Sequence, residues 1–557
     1  MTSPLWAGET PAPLSADYLQ TVRTFADNVL QHGRDVYGPR HTPLFVDGIN
    51  VDTHEPPVWH LAPDYARAWN MPTQWIMSNL ACQQVLFRVF DALTTLTGEA
   101  GYRQAAIDAF RYHFEHLQYR DGLLAWGGHA MIDAATEQPV GECLRNWRMG
   151  TPITPFWDIG VEHELKHHYP HYDLMWRTDP EATRRFIEGF WSAHVLRWDV
   201  LDFNRHGLYG RDKGCPWDRA YVGGTVHFEG GGLSLMDAGV ELMYAAVELS
   251  RFTGDARPLA WAKRLAQRYA DARDPKTGLG PDVYSHYRNG RLAAQFDGEM
   301  SERVSETKIT SIYGIRYGYA AVCQLKLAEM LWPAGDEFLH HATADLTAFA
   351  RHAFDPADGR WWFMLTDGTR LESADVKRAG PLPSAHIRKR SVGPFHFWGY
   401  VLAYKLTGDA SMWKMARRIG QLLDLGDIGQ AGGKDSALRL TTTARGAYTI
   451  FALLDLFEAT GKLEYLALAR RLGDNALAAE FDRGFFVPGK SYVMSSFDTV
   501  TPLALLYIEA ASREPPVKLP LFLGNQSHFM CPDETGERAE MQTVFGVQRK
   551  YSPDGGF

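Results

Sequence analysis

Cysteine is scarce in this chain of 557 residues, and the five present (Cys82, Cys143, Cys215, Cys323 and Cys531) are scattered, odd in number and form no C-x-x-C pair. That pattern disfavours a disulfide framework and fits reduced thiols. No apolar run is long enough to span a bilayer, so no membrane contact is expected. Positive charge is not in excess: the formal net charge of −9 argues against a general nucleic-acid binder. It leaves room for an anionic substrate, because basic clusters can sit within an acidic whole. The opening stretch "MTSPLWAGETPAPLSADYLQ" lacks a basic n-region and an apolar h-region. We therefore expect a cytoplasmic protein, or a periplasmic one only if a leader has been removed. Aromatics at 13% and apolar residues at 45% provide for a large globular core.

Strand-like alternation is also sparse, with "GRWWFML" the main exception, whereas helical spacing recurs. Four segments resemble one another: "LTTLTGEAGYRQAA", "LSRFTGDARPLAWA", "AYKLTGDASMWKMA" and "LFEATGKLEYLALA". Each holds Thr-Gly (Gly98, Gly254, Gly408, Gly461) and an alanine eight positions later (Ala106, Ala262, Ala416, Ala469). The glycine suits the left-handed residue that ends a helix, and the alanine allows close packing in the next one. Glycine spacings of 156, 154 and 53 residues suggest a helical-hairpin repeat of about 52 residues. We expect an all-α fold: one domain over residues 1–557, a closed toroid of helical hairpins with minor β-hairpins in its loops. A helical solenoid scaffold is the plainer alternative.

"VEHELKHHYP" contains His163-Glu164-Leu165-Lys166-His167, a literal H-E-x-x-H. On a helix this motif holds zinc between two imidazoles and supplies a glutamate base for peptide cleavage. Thr154, Pro155 and Asp158 resemble a helix start, and Pro170 a stop, so a helix is expected over roughly Pro155 to His168. Apolar residues fall on both faces of that helix, and no third ligand follows at a familiar spacing. Glu188 is the nearest candidate. A zinc peptidase is thus an alternative, weighed against buried structural histidines.

Two further stretches carry chemistry. "LLAWGGHAM" sets His129 behind two glycines, where the backbone can approach a ligand closely, and "LDFNRHGLYG" sets Arg205 beside His206. With Glu164 these give two imidazoles and one carboxylate from three separated segments, a donor set that suits a first-row transition metal better than calcium.

In order and spacing, "WGGH", "HELKHHYPHYDLMW" and "NRHG-YG", with "TPLFVDGINVDT" near the N-terminus, resemble polysaccharide lyase family 2, pectate lyases with an (α/α)7 toroid. The resemblance implies that His129, Glu164 and His206 bind a divalent transition metal (Mn²⁺, Ni²⁺ or Co²⁺) and that Arg205 is the Brønsted base. His163 and His167 are then left for packing or support.

The implied reaction is β-elimination of pectate or oligogalacturonate, with exo action expected. It removes the C5 proton α to a carboxylate, and a bound metal serves as Lewis acid for that carboxylate. An arginine acting as base must first lose its own proton; lowering a guanidinium by about six pKa units costs about 8 kcal/mol. A permanently charged carboxylate clamp is therefore the alternative role for Arg205. Trp126, Trp217 and Tyr209 are candidates for stacking on sugars, and Arg219, Arg145 or Arg148 for pairing with uronates. The expected partner is an acidic saccharide, with no nucleic acid and no membrane; the oligomeric state is left open. An enzyme acting on a different uronic-acid saccharide, by lysis or hydrolysis, is also compatible with these residues, as is a non-catalytic sugar-binding toroid. No Asp/Glu pair announces a hydrolase.

Overall fold

The computed structural model describes residues 17–69, 72–141, 162–209, 214–224, 235–281, 292–305, 315–380, 384–525, 530–532 and 538–540. Its principal helices open with α1 (Tyr18–His32) and then run in hairpins. These are α2 (Gln84–Thr97) with α3 (Ala100–Tyr112), α4 (Tyr172–Thr178) with α5 (Pro180–His194), and α6 (Met236–Thr253) with α7 (Ala256–Asp271). They continue as α8 (Ile315–Leu331) with α9 (Asp336–Ala348), α10 (Pro394–Thr407) with α11 (Ala410–Leu422), and α12 (Ala447–Thr460) with α13 (Leu463–Glu480). The last of them, α14 (Thr501–Ala511), packs against α1, so the first and last of these helices form a seventh hairpin.

The first helix of each hairpin lies inside. α6 packs on α8, α8 on α10, α10 on α12, α12 on α14, and α14 on α2. Two junctions remain: α4 touches α6, and the one between α2 and α4 is polar. Asp91 of α2 meets His171, the residue before α4, at 2.8 Å, and the His171 N–H donates to Gln84 Oε1 at 2.8 Å. The inner ring is thereby closed, as expected for a toroid. Burial explains the two helix types. α6 is buried from Met236 to Leu249 without a polar face, as a helix packed on all sides must be. α7 buries only Pro258, Trp261, Ala262, Leu265, Ala266, Arg268 and Tyr269, a single stripe at helical spacing.

The Thr-Gly repeat is the turn from inner to outer helix. Gly98, Gly254, Gly408 and Gly461 all sit at φ between 70° and 80°, each donating its N–H to the carbonyl four residues back. The preceding threonines also act alike. Thr97, Thr253, Thr407 and Thr460 donate to the carbonyl one turn earlier and accept the N–H two residues on. Ala106, Ala262, Ala416 and Ala469 are all fully buried. The inferred period of about 52 residues is wrong, however. Between the first three marked glycines lie the unmarked inner helices α4 and α8, so each long interval holds two hairpins, not three. The extra length is in the connections from outer to inner helices, and those connections build the site.

The described strands are short and, apart from the pair Met530–Pro532 and Arg538–Glu540, lie in these connections. The GRWWFML exception is one: Arg360–Trp361 pairs with Phe354–Asp355 and Arg390–Ser391. An antiparallel sheet runs β1 (Val58–His60), β2 (Gln74–Ser78), β3 (Ala130–Asp133) and β4 (Gln138–Gly141) in that order, and a two-stranded ribbon joins β5 (Glu162–Glu164) to β6 (His206–Leu208). No helix among the described residues is long and apolar enough to cross a membrane.

The turn glycine lends itself to a stability test. At Gly254 an added Cβ meets nothing within 4 Å, so Gly254→Ala loses only backbone freedom at positive φ. We predict a loss of about 1 kcal/mol in denaturant unfolding, with less for Gly254→Asn, which tolerates this conformation. Ala262→Leu, which overfills a closed contact, should lose about 1–3 kcal/mol.

Candidate active site

The H-E-x-x-H stretch is not a helix where it is described. Glu162–Glu164 forms strand β5, paired antiparallel with β6 in the register Glu162↔Leu208, His163↔Gly207, Glu164↔His206. The pairing continues past the strand, where the Leu165 N–H donates to the Arg205 carbonyl at 2.9 Å. Thr154, Pro155 and Asp158 lie outside the described residues.

The ribbon places Glu164 directly opposite His206, so both side chains share one face. The third segment arrives through its glycines. Gly127 has φ +91°, and a Cβ there would stand 2.7 Å from the Glu164 carbonyl oxygen and 2.8 Å from its Cβ. Only glycine allows this approach. It lets the Gly128 N–H donate to Glu164 Oε2 at 2.9 Å and delivers His129 at the head of β3.

His129, Glu164 and His206 then converge, each with a donor atom within 4.8 Å of the others. His129 Nε2 is 3.7 Å from Glu164 Oε2, and His206 Nε2 is 3.4 Å from Oε1. The imidazoles stand edge to face at 5.2 Å. Arg205 Nη2 lies 3.3 Å and Lys166 Nζ 3.5 Å from the same Oε1. Glu164 is wholly buried, which alone would push its pKa up. His129, Lys166, Arg205 and the His206 hydrogen bond overcome that and hold it well below the ordinary carboxylate range. Burial, aided by Arg205, pushes His206 down to about 4. An ionised carboxylate and a neutral imidazole are the forms in which these groups ligate a metal, so the donor set fits a divalent transition ion.

His163 and His167 point to different partners. His163 Nδ1 is 2.8 Å from His194 Nε2. His167, at φ +61°, stacks on Tyr319 and pairs with Asp237 at 2.8 Å. Glu188 is held by Arg184 at 2.9 Å. No zinc set of the H-E-x-x-H kind is assembled among the described residues. A second acidic group, Glu329, Asp455 and Glu458, is neutralised by Lys326 and Lys405.

The candidate sugar-stacking rings are covered by protein. Trp126 is fully buried between His168 and Phe186. Tyr209 is buried and donates to the Leu124 carbonyl at 2.7 Å. Trp217 packs on Trp191 at 5.5 Å. Their faces are closed to a saccharide in this structure, because each fills the seam between a loop and the helix beneath it. Arg219 is half-exposed, and Arg145 and Arg148 lie outside the described residues. Sequence reasoning missed Lys166, which the strand period of two would have placed beside Glu164. It also missed Asp237, which takes His167 and Arg316 Nε (3.0 Å) from α8. Burial raises Asp237, but Arg316 and His167 hold it below the ordinary range.

The family model described as "Periplasmic pectate lyase" matches residues 42–531. A pectate disaccharide-lyase of Dickeya dadantii (strain 3937) is 34% identical over 543 residues, covering 91% of each chain. Among solved structures, a GH76 α-mannanase of Bacteroides thetaiotaomicron is similar at TM-score 0.41 and 9% identity, covering 89% of this chain and 96% of that one. D-mannose isomerase follows at 0.39 and 14%, covering 74% and 87%. The class is therefore that of the polysaccharide lyases. Within it, the chain belongs to the periplasmic pectate lyase family. The family's description contradicts the cytoplasmic location expected from the opening residues; composition at one end of a chain is a poor guide to its compartment.

The glycine approach and the buried histidine can each be tested. Gly127→Ala should abolish divalent-metal binding measured by calorimetry while the protein still melts cooperatively, since its Cβ displaces Glu164. The second test concerns acid. Between about pH 6.5 and 4 the unfolded chain protonates a histidine that the folded chain keeps neutral at position 206, so stability falls as pH falls across that window. Glu164, depressed in the fold, contributes stability present above the usual carboxylate pKa and lost below it. The Tm of metal-free protein should drop across that window, and His206→Gln should flatten the slope. An unchanged slope would locate the titration elsewhere.

Proposed function

We propose that residues 1–557 form one catalytic unit that cleaves pectate or oligogalacturonate by metal-assisted β-elimination, acting from a chain end. The observation that carries this is the convergence of His129, Glu164 and His206 beside Arg205 in a chain of the pectate lyase family. The name of the Dickeya dadantii relative supports a disaccharide product. His129, Glu164 and His206 would hold the metal, and two nitrogen donors favour Mn²⁺, Co²⁺ or Ni²⁺ over Ca²⁺. When bound, that ion supplies Lewis-acid neutralisation of the uronate carboxylate, which otherwise resists a second negative charge at C5.

The chain's own residues do the rest. Glu164 is fixed from both sides, by the Gly128 N–H and by its cross-strand partner. Arg205 lies next to His206 in sequence and within 3.3 Å of Glu164, so the base stands beside the ligands. Unprotonated, it takes the C5 proton; the C5 electron pair forms the C4=C5 double bond, and the C4–oxygen bond breaks with its electron pair leaving on the glycosidic oxygen, which takes a proton from solvent. Lys166, 3.5 Å from Glu164 Oε1, adds positive charge beside the ligands, which attracts a polyanion. Arg219, half-exposed, is a candidate for an outer uronate.

The assay is ultraviolet absorbance of the unsaturated product from polygalacturonate. We predict that a chelator abolishes it, that Mn²⁺, Co²⁺ or Ni²⁺ restores it, and that Ca²⁺ restores it poorly. Full rescue by Ca²⁺ alone would mean that these three residues are not the ligands. Arg205→Lys separates base from clamp. Loss of the base lowers kcat by orders of magnitude at unchanged metal content, with partial recovery at high pH as the amine deprotonates. Loss of a clamp raises KM and spares kcat.

A further inference from the structure

We infer that His194, the last residue of α5, is a positioning residue that fixes the Glu164 and Arg205–His206 strands to each other and so sets the geometry of the metal centre. The inference rests on the metal-dependent lyase assignment above and goes beyond it to a residue that is not among the proposed ligands.

The imidazole of His194 is fully buried and touches the ribbon at three points. Its Nδ1 is 2.7 Å from the Asn204 carbonyl oxygen. A carbonyl only accepts, so Nδ1 carries the proton. In the uncharged ring Nε2 is then the acceptor, and His163 Nδ1, at 2.8 Å, donates to it. Asn204 adds a second link, accepting the His206 N–H on its Oδ1 at 3.1 Å, and its own N–H returns to the His194 carbonyl at 3.0 Å. Gly207 is the third point: a Cβ there would stand 2.8 Å from His194 Cε1 and Nε2. Glycine is required at 207 because this ring lies beneath it.

Each contact therefore falls next to a functional residue. His163 precedes Glu164, Asn204 precedes Arg205, and Gly207 follows His206. Side chains alternate along a strand, so holding His163 and Gly207 on one face aims Glu164 and His206 to the other. A short two-stranded ribbon has little stability of its own, and His194 ties it to a fifteen-residue helix. A merely space-filling ring would not need its nitrogens; a clamp does. Hydrogen-bonded supports of metal ligands typically contribute ten- to hundredfold in metal affinity.

The test uses the full chain, stripped of metal and titrated with Co²⁺ by calorimetry, with the visible spectrum of bound Co²⁺ reporting coordination geometry. His194→Phe keeps the ring volume and removes both hydrogen bonds. We expect about tenfold or greater loss of Co²⁺ affinity, an altered spectrum, and a fall in kcat at saturating Co²⁺ with KM for polygalacturonate held. His194→Gln, which can again present an acceptor to His163, should regain most of the affinity. Should His194→Phe fail to fold, His163→Met removes the donor at the other end and must weaken Co²⁺ in the same direction. Wild-type affinity, spectrum and kcat in His194→Phe, with only a lower Tm, would overturn the inference and leave the metal centre standing. Wild-type protein that binds no Co²⁺ would overturn the metal centre and the inference with it.

Discussion

An ionised carboxylate without access to water is the constraint on which this site depends. Burying such a charge is costly unless it is paired and hydrogen-bonded, and Glu164 is fully buried. Its compensation comes from short segments: the Gly128 N–H with His129, Lys166 on its own segment, and Arg205 with His206. These segments are separated in sequence and none is held by its own secondary structure alone. The glycine at 127, the ribbon register and the clamp at His194 are all means of bringing them to one point.

The ring supplies the rigidity that the segments lack. Inner helices buried on every side and outer helices buried on one stripe form a scaffold whose tight Thr-Gly turns all lie where inner passes to outer helix. The return connections, from outer to inner, carry most of the described strands together with His129, Glu164, Arg205 and His206. One side of the fold is thus devoted to tight turns and the other to long loops. The shared geometry of the turns does not extend to α4 and α8: α4 passes to α5 through Asp179 alone, and α8 to α9 through residues 332–335.

Much of this was legible in the residues. Thr-Gly with alanine eight later marks a helix end followed by a close contact, because positive φ and a small side chain are local demands. W-G-G-H and N-R-H-G pointed to the histidines that meet Glu164, because glycines flanking a histidine announce close backbone approach. What was not legible depends on non-local packing. H-E-L-K-H reads as one helical turn until β6 is paired with it, after which Lys166, not His167, is the neighbour of Glu164. The repeat length failed because only four inner helices carry the mark. Trp126, Tyr209 and Trp217 looked like sugar platforms, yet loop-to-helix seams need large rings too, and burial cannot be read from aromatic content.

The most direct test of the account is the position of the metal itself. In an anomalous difference map from Mn²⁺-loaded crystals, the account predicts the strongest peak between His129, Glu164 and His206. A peak between His163 and His167, or at Glu329, Asp455 and Glu458 with none at Glu164, would contradict it.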